Sequence, residues 1–206
     1  MKLKPVKLPF GKTIYQTENG QSISSDVVDL VDLIIKKETQ NIGEILELGS
    51  GNGIISIMLK YHRRNWNIVG IEIQEHLVEL SNKNSELSEL SINFRKADIR
   101  SFSSQNNYDL IISNPPFYSI SNGRISPIKE RAISRHEILC TLEDVIFAID
   151  RNLKEAGKSY IIYPKFRLPE IEKVIKKVDL RIVEKNVSKS LKNKQKLLII
   201  LGRRDK

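Results

Sequence analysis

Short apolar segments with strand character alternate with amphipathic helical segments along this chain of 206 residues. In the first helical segment, Val27, Leu30, Val31, Ile34 and Ile35 recur at the spacing of one helix face, and serines with Asp26 precede them as helix-start residues. The predicted strands are residues 44–48, 67–72, 92–95, 108–113 and 159–163, and the later helices are residues 54–61, 75–86, 142–153 and 168–178. This alternation predicts an α/β fold in which a doubly wound, mostly parallel sheet is covered on both faces.

Two local signals refine this prediction towards the end of the chain. Thr141, followed three residues later by Asp144, predicts the start of a helix, and Gly157 predicts where that helix ends. Residues 180–187 and 196–201 both have strand patterns with no helical pattern between them. We therefore expect an antiparallel C-terminal hairpin at one side of the sheet.

Length and composition limit the class of protein. A chain of this length with 40% hydrophobic residues predicts one domain over residues 1–206, with an N-terminal segment and helix in residues 1–41 and the sheet in residues 42–206. The apolar runs are far shorter than the roughly 20 residues that a membrane span requires, and the opening MKLKPVKLPF lacks the apolar region of a signal peptide. The single Cys140 predicts neither a disulfide nor a metal site. We therefore expect a cytoplasmic protein without a bound metal.

The charge balance is basic, with 34 Lys and Arg residues against 25 Asp and Glu residues and a net charge of +9. This balance favours a polyanionic partner, although a basic surface that serves solubility stays open. The basic residues gather in two runs, Lys2, Lys4, Lys7 and Lys12 near the start and Lys185, Lys189, Lys192, Lys194 and Lys196 before the last strand. Such runs bind phosphates with salt-dependent affinity but do not select a base sequence.

A glycine-rich turn, ELGSGNG, follows the first predicted strand at residues 47–53. Its glycines are Gly49, Gly51 and Gly53, whereas the dinucleotide-binding pattern would place the third glycine at position 54, which is Ile54. A nicotinamide cofactor is therefore disfavoured. Glycines in such a turn allow a ligand to approach the backbone closely, and a tight turn without a ligand is the alternative.

Carboxylates follow the next two predicted strands. Glu72 ends the second strand, and Asp98 comes directly after the third. Because ligands bind at the carboxyl ends of the strands in doubly wound sheets, both side chains should lie near the glycine turn. A carboxylate there can accept hydrogen bonds from two ribose hydroxyls. Either residue alone is typical of a solvated surface, but three successive strand ends of this kind indicate a ligand site.

Together these features resemble the class I S-adenosylmethionine-dependent methyltransferases, over residues 42–201. The resemblance implies a Rossmann-like, mostly parallel seven-stranded sheet and S-adenosylmethionine as cofactor. It also implies the cofactor contacts. Glu47, Gly49, Gly51 and Gly53 would bind the methionine moiety and sugar, Glu72 the ribose hydroxyls, and Asp98 with Ile99 the adenine.

The fourth predicted strand ends in Asn114-Pro115-Pro116-Phe117, which matches the family's [N/D]-P-P-[F/Y/W] motif for amino-group methylation. The exocyclic amine of adenine is a poor nucleophile because its lone pair is delocalised. If the Asn114 side-chain oxygen and the Pro115 carbonyl each accept one N–H, that lone pair is directed at the methyl sulfonium, so Asn114 would contact amine and cofactor. Pro115 and Pro116 would stiffen the loop, and Phe117 would stack on a planar substrate. A strand terminator with Phe117 in the core is the alternative.

The stretch SPIKERAISRHE, residues 126–137, is predicted to belong to a loop of some twenty residues. Together with residues 16–26 it resembles the bacterial family that methylates the exocyclic amine of the adenine next to the anticodon of a valine tRNA. This resemblance implies a tRNA anticodon stem-loop as partner. The substrate contacts expected on that basis are Lys129, Arg131, Arg135 and His136 in the loop and Lys189, Lys192 and Lys194 in the basic run. For His136, contact with a base, contact with a phosphate and helix capping all stay open.

Two further enzyme classes use a similar motif. Release factor glutamine methyltransferases have NPPY and typically an additional N-terminal helical domain, whereas residues 1–41 alone precede Ile42 here. Exocyclic-amine methyltransferases of DNA or rRNA are the other class, and those that act on DNA ordinarily need a separate region that reads the grooves. A cofactor-binding protein without activity is disfavoured by the intact motif. The sequence therefore favours a tRNA adenine-N6 methyltransferase, expected as a monomer.

Overall fold

The computed structural model describes residues 2–18, 24–119, 126–188 and 196–205, which form a seven-stranded sheet between helices and a separate two-stranded sheet. The strands are β1 (Leu3–Lys7), β2 (Thr13–Thr17), β3 (Gly43–Leu48), β4 (Trp66–Glu72), β5 (Asn93–Lys96), β6 (Tyr108–Ser113), β7 (Leu153–Pro164), β8 (Leu180–Val187) and β9 (Lys196–Arg203). The helices are α1 (Ser25–Lys37), α2 (Ile54–His62), α3 (Glu75–Leu87), α4 (Lys129–Arg135), α5 (Leu142–Asn152) and α6 (Leu168–Ile175), with a 3₁₀ turn at Lys165–Arg167.

The large sheet has the strand order β5-β4-β3-β6-β7-β9-β8. β3 pairs in parallel with both β4 and β6, whereas β9 runs antiparallel to both β7 and β8. The predicted mostly parallel sheet with an antiparallel C-terminal hairpin is therefore confirmed. The chain builds outwards from β3 to β5 and then restarts at β6 on the other side of β3. The carboxyl ends of β3 and β6 thus form the point where ligands bind in such sheets.

Each face of the sheet has its own apolar core because side chains alternate along a strand. In β3, Ile45 packs with the apolar faces of α1 and α2, while its neighbour Leu46 packs with those of α5 and α6. The predicted face of α1 is confirmed, since Val27, Leu30, Val31 and Ile34 are buried and Ile35 is partly buried against the same core. No helix within the described ranges is long and apolar enough to cross a membrane.

The structure confirms one of the two predicted ends of α5 and corrects the other. Thr141 and Asp144 form a capping box, in which the Asp144 N–H donates to Thr141 Oγ1 at 3.2 Å and the Thr141 N–H donates to Asp144 Oδ2 at 2.8 Å. The prediction that Gly157 ends the helix is wrong, because the helix stops at Asn152 and Gly157 lies inside β7. A Cβ there would come within 3.0 Å of the Tyr108 carbonyl oxygen, so close approach of β6 explains this glycine.

Four elements differ from the sequence-based expectation, namely α4, β1, β2 and α6. The stretch 126–137, expected as a loop, contains the helix α4. β1 and β2, which were not predicted, pair as an antiparallel hairpin that α3 holds through Asn84. The Tyr15 N–H donates to Asn84 Oδ1, and Asn84 Nδ2 donates to the Tyr15 carbonyl, both at 2.8 Å. The helix predicted over 168–178 ends at Ile175.

Candidate active site

The glycine turn after β3 has the backbone that its sequence predicts. Gly49, Gly51 and Gly53 have φ angles of 72°, 54° and 83°, in the left-handed region that favours glycine. A Cβ on Gly49 or Gly51 would meet no atom within 4 Å, and both residues line a cavity at the carboxyl edge of the sheet. Gly53 instead faces the protein, where a Cβ would lie 2.7 Å from Phe94 Cζ. The first two glycines are thus available to a ligand, while packing explains the third.

Glu47, at the end of β3, lines this cavity and is 2% exposed. Its Oε2 accepts hydrogen bonds from the Ser56 N–H at 3.2 Å and from the Ser56 hydroxyl. Burial raises the pKa of the Glu47 carboxyl to about 8, the hydrogen bonds from Ser56 lower it, and the nearby charge of Glu72 raises it further. The side chain is therefore largely protonated at neutral pH.

Glu72 ends β4 and faces the same cavity. Its two carboxylate oxygens are held separately, since the Gly51 N–H donates to Oε2 at 3.1 Å and the Gln74 N–H donates to Oε1 at 3.0 Å. A carboxylate oxygen has two lone pairs, so each oxygen keeps one acceptor position after these backbone contacts. This geometry suits a pair of neighbouring hydroxyls.

Asp98 and Ile99, which follow β5, also line the cavity. The Asp98 carboxylate is already paired, because Arg100 Nε lies 2.9 Å from its Oδ2. The hydrogen bond from the Arg100 guanidinium holds the pKa of the Asp98 carboxyl below its usual range. Asp98 is thus an ionised acceptor whose orientation is fixed by Arg100.

The motif residues after β6 divide between the cavity and the core. Asn114, Pro115 and Pro116 line the cavity next to the end of β3, where the Ser113 hydroxyl donates to the Leu48 carbonyl at 2.9 Å. The ring of Phe117 is 6% exposed and packs in the core beneath the loop. The expected stacking of Phe117 on a substrate therefore does not match this conformation, because the ring is covered by Tyr118 on one side and Lys196 on another.

The residues around α4 have several different environments. Arg131 is half-buried and Arg135 is exposed. His136 is 5% exposed and caps α4, because its N–H donates to the Ala132 carbonyl at 2.9 Å. Only the backbone of His136 makes this cap, and its ring Nδ1 is buried with no hydrogen-bond partner among the described residues. The Lys129 side chain lies outside the described part of the structure.

The basic run near the C-terminus is described in part. Lys189, Lys192 and Lys194 lie outside the described residues. Lys185 lies 3.6 Å from Glu172, and both side chains are about half exposed. The assignment of Lys196 to the phosphate-binding run is wrong, because its amine is buried and lies 2.5 Å from Asp26 Oδ2. It forms an internal ion pair instead of a surface contact for phosphate.

Several cavity-lining polar side chains were missed from the sequence, namely Gln16, Thr17, Ser113, Glu130, Ser134 and Cys140. Thr17 in β2 donates a hydrogen bond to Glu130 in α4, so the N-terminal hairpin and α4 meet beside the cavity. Burial raises the pKa of the Cys140 thiol to about 12, so it is protonated and a poor nucleophile. Among the described residues, no group of His, Cys, Asp and Glu is arranged to hold a metal ion.

Comparison with known proteins gives a family match over most of this structure. The model of the methyltransferase small domain family matches residues 23–178. The tRNA1(Val) (adenine(37)-N6)-methyltransferase of Dyadobacter fermentans is 30% identical over 129 residues, which cover 62% of this chain and 53% of that protein. The release factor glutamine methyltransferase of Lactococcus lactis is 25% identical over 140 residues, which cover 65% of this chain and 52% of that protein. The chain thus spans about half the length of these curated relatives.

Solved structures give the same fold. A tRNA m1G37 methyltransferase of M. jannaschii superposes with a TM-score of 0.69 at 18% identity, covering 99% of this chain and 57% of that chain. Likeness at this level of identity concerns the fold. The Rossmann-like class I methyltransferase fold expected from the sequence is confirmed.

Proposed function

Because this chain belongs to the methyltransferase small domain family, we propose that it transfers a methyl group from S-adenosylmethionine to the exocyclic amine of an adenine in a tRNA anticodon loop. S-adenosylmethionine is the cofactor that this family and fold indicate, as the sequence predicted. The acceptor and the tRNA are the proposed part. A cytoplasmic, monomeric, single-domain enzyme remains the expectation from the sequence.

One observation carries the proposal. The motif loop, whose hydrogen-bond acceptors are uncharged, lines the same cavity as the residues expected to bind S-adenosylmethionine. Asn114 and Pro115 lie at the end of β6, beside the glycine turn and on the same cavity as Glu72. Pro115 and Pro116 have no N–H, so the loop can offer carbonyl oxygens to a substrate. Two neutral acceptors suit an amine with two N–H groups, whose nitrogen lone pair must be directed at an electrophilic methyl group.

The cavity lining fits the cofactor. Gly49 and Gly51 present open backbone, and Glu72 presents two partly free acceptor oxygens. Two buried polar atoms of the lining, Gln16 Oε1 and Ser50 Oγ, have no hydrogen-bond partner among the described residues, which is expected where a polar ligand completes the site. When bound, S-adenosylmethionine supplies an electrophilic methyl group on a sulfonium.

These residues divide the work of the proposed reaction. Glu72 would hold the ribose, Asp98 and Ile99 would contact the adenine of the cofactor, and the turn from Glu47 to Gly51 would contact the sugar and methionine moiety. Asn114 and the Pro115 carbonyl hold the two N–H groups of the acceptor amine. They would thereby direct the nitrogen lone pair towards the methyl group that the bound cofactor would supply.

An RNA acceptor is supported by charge and by similarity. The net charge of +9 favours a polyanion, and Arg131 and Arg135 of α4 lie beside the cavity-lining residues of that helix. An anticodon-loop base is partly unstacked already, so moving it into a cavity costs little. The relative from D. fermentans bears the name of a tRNA adenine-N6 methyltransferase.

Glutamine methylation of a release factor is the second candidate. The similarity to a release factor glutamine methyltransferase supports it, and the same neutral acceptors could hold a side-chain amide. The excess of positive charge favours RNA as the substrate, and so does Phe117, which stands where release factor methyltransferases have tyrosine.

A direct assay separates the candidates. Purified protein is incubated with cofactor labelled in the methyl group and, separately, with total tRNA, duplex DNA and a release factor. We expect label in tRNA that maps by nuclease digestion and mass spectrometry to one loop adenine. Label in the release factor alone, or in DNA alone, would replace this proposal by the corresponding alternative.

A further inference from the structure

A buried arginine lies behind the motif loop. Arg167 is the last residue of the 3₁₀ turn after β7, and its side chain is 6% exposed. Its Nη1 donates to the Phe117 carbonyl at 2.7 Å, and its Nη2 donates to Glu137 Oε1 at 2.8 Å. One guanidinium thus joins the end of the motif loop to the segment that follows α4.

The motif loop depends on its two ends for its position. Pro115 and Pro116 cannot donate backbone hydrogen bonds, so the middle of the loop has no N–H with which to fix itself. The near end is held by the Ser113 hydroxyl on the Leu48 carbonyl. At the far end, the Phe117 carbonyl is held by Arg167.

The chain after α4 supports the same far end. The N–H groups of Phe117 and Tyr118 both donate to the Arg135 carbonyl, at 3.2 and 3.0 Å, and the Glu137 N–H donates to the Tyr118 carbonyl at 2.9 Å. The Glu137 carboxylate, 9% exposed, also accepts from the Leu142 N–H at 2.8 Å. Glu137 therefore fixes Arg167 relative to both the motif loop and the start of α5.

Charge neutralisation alone does not explain this arrangement. Arg167 has a second carboxylate partner, Glu170, whose Oε2 lies 2.8 Å from Nε and whose side chain is 51% exposed. A guanidinium that served only to form ion pairs would not need to direct Nη1 at a neutral carbonyl. Its planar fork instead spans the loop carbonyl and a carboxylate at fixed angles.

We propose that Arg167 and Glu137 are positioning residues for methyl transfer, which hold the far end of the motif loop so that the Asn114 and Pro115 acceptors stay aligned. This inference rests on the proposed function, because it assigns the alignment of the acceptor amine to those two groups. Neither residue touches the substrate in this role.

The physical expectation is a loss of rate without a loss of cofactor binding. Lysine at position 167 keeps the charge but lacks the fork, so it cannot hold both Phe117 and Glu137 in one plane. A displacement of about 1 Å at reacting groups costs up to about 100-fold in rate. We therefore expect Arg167→Lys to lower kcat by about 10-fold to 100-fold, while the affinity for S-adenosylmethionine stays within about twofold.

The variants at position 137 form a graded series on the full-length chain. Glu137→Ala leaves Arg167 without its inner carboxylate and should lower kcat by about 10-fold or more. Glu137→Gln keeps an oxygen that can accept from both Arg167 and Leu142, so it should retain kcat to within about threefold. Rescue by glutamine is a result that mere destabilisation of the fold would not give.

Two control variants separate positioning from stability. Glu170→Ala removes the half-exposed carboxylate that contacts Nε and Nη2 of the same guanidinium, and it should lower kcat less than Glu137→Ala does. Arg203→Lys disturbs a largely buried ion pair between the last residue of β9 and Asp150 in α5. This pair lies at the edge of the sheet opposite the cavity. It should lower the melting temperature without a specific loss of kcat.

The outcomes are measured as kcat, KM and calorimetric cofactor affinity with the acceptor that the wild-type protein methylates. A kcat in Arg167→Lys and Glu137→Ala within twofold of the wild type, or a loss no greater than in Arg203→Lys, would overturn the inference. A parallel loss of cofactor affinity would overturn it too. Failure of the proposed function is seen separately, as wild-type transfer to a release factor or DNA but not to tRNA.

Discussion

The proposed cofactor half of the cavity, with Glu47, Glu72 and Asp98, and the proposed acceptor half, with the loop 114–117, are held in place by different means. In the cofactor half, backbone N–H groups of the adjoining turns hold the carboxylates, as Gly51 and Gln74 do for Glu72. In the acceptor half, the motif loop is held by Arg167, a side chain fifty residues from Phe117. The contacts of Glu72 thus join residues at most 21 positions apart, whereas the motif loop depends on a residue 50 positions away.

This difference suggests that substitutions in the two halves should affect different measurements. Changes in the cofactor half should lower cofactor affinity, and changes in the acceptor half should lower the rate at saturating cofactor. A variant that affected both quantities equally would show that the two halves are coupled.

The largest effect is expected at Asn114. Asn114→Ala should lower the rate of methyl transfer by about 100-fold or more, because one preorganised acceptor for the amine is lost. Cofactor affinity should stay nearly unchanged. Single-turnover kinetics with saturating cofactor measure the chemical step, and a wild-type rate would remove Asn114 from the proposed role.

The matching test in the cofactor half is Glu72→Ala. Loss of a charged acceptor for two hydroxyls should weaken cofactor binding by roughly 1.5–3 kcal/mol. Isothermal titration calorimetry measures the change, and circular dichroism checks that the variant is folded. Unchanged affinity in a folded variant would show that the ribose lies elsewhere.

A smaller effect concerns the pH dependence of stability through Glu47. Its pKa is about 8 in the folded chain against an ordinary value of 4.5, so the folded state binds a proton that the unfolded state releases. The free energy of unfolding should therefore fall as the pH rises from about 5 to 8 and then level off, by at least about 1 kcal/mol.

Glu47→Gln removes this titrating group. The free energy of unfolding of the variant, measured with urea, should therefore fall less between pH 5 and pH 8 than that of the wild type. Glutamine keeps an oxygen for the Ser56 N–H, which makes the variant a close match in shape. Parallel pH curves for the two proteins would mean that Glu47 is ionised in the folded chain.

The smallest effect per substituted residue is expected for tRNA binding by the basic run. Changing Lys189, Lys192 and Lys194 to Glu should raise the apparent Kd for tRNA and flatten its salt dependence, by a slope of about 0.7 for each lost phosphate contact. Lys185→Glu is a control on the neighbouring strand, since Lys185 lies near Glu172. The control should leave the slope unaltered, and a slope that the three changes in the basic run also leave unaltered would indicate a solvated surface.

The cofactor half could be predicted from the sequence because its signals are local. A strand followed by glycines, and a strand that ends in an acid, place groups at one edge of a parallel sheet by geometry alone. The structure brings Glu47, Glu72 and Asp98 to one cavity, as that rule predicts. The reason for glycine at position 53 could not be predicted in this way, because it is the close contact with Phe94 of a different strand.

The acceptor half could be predicted only in part for the opposite reason. The motif placed Asn114 correctly at a strand end, but the Phe117 ring packs in the core and next to Lys196, which is far along the chain. The capping position of His136 required the helix α4, whose seven residues are too few for a clear apolar period. Long-range packing of this kind has no local signature.

The hairpin of β1 and β2 was missed for a similar reason. β1 reads LKPVK, in which Pro5 and the lysines are typical of an edge strand or of irregular chain. Its partner β2 is held by Asn84 of α3, almost seventy residues later. The sequence around the hairpin therefore gives little indication that it contributes Gln16 and Thr17 to the cavity.

The paired prolines also determine how motions of the motif loop can be observed. Proline has no amide proton, so hydrogen exchange and amide NMR spectra give no signal from Pro115 and Pro116 at the centre of this loop. The amides of Phe117 and Tyr118, which both donate to the Arg135 carbonyl, become its nearest reporters on the far side. An opening of the loop away from α4 would be recorded as faster exchange at these two positions, before any change reached the amides of β6.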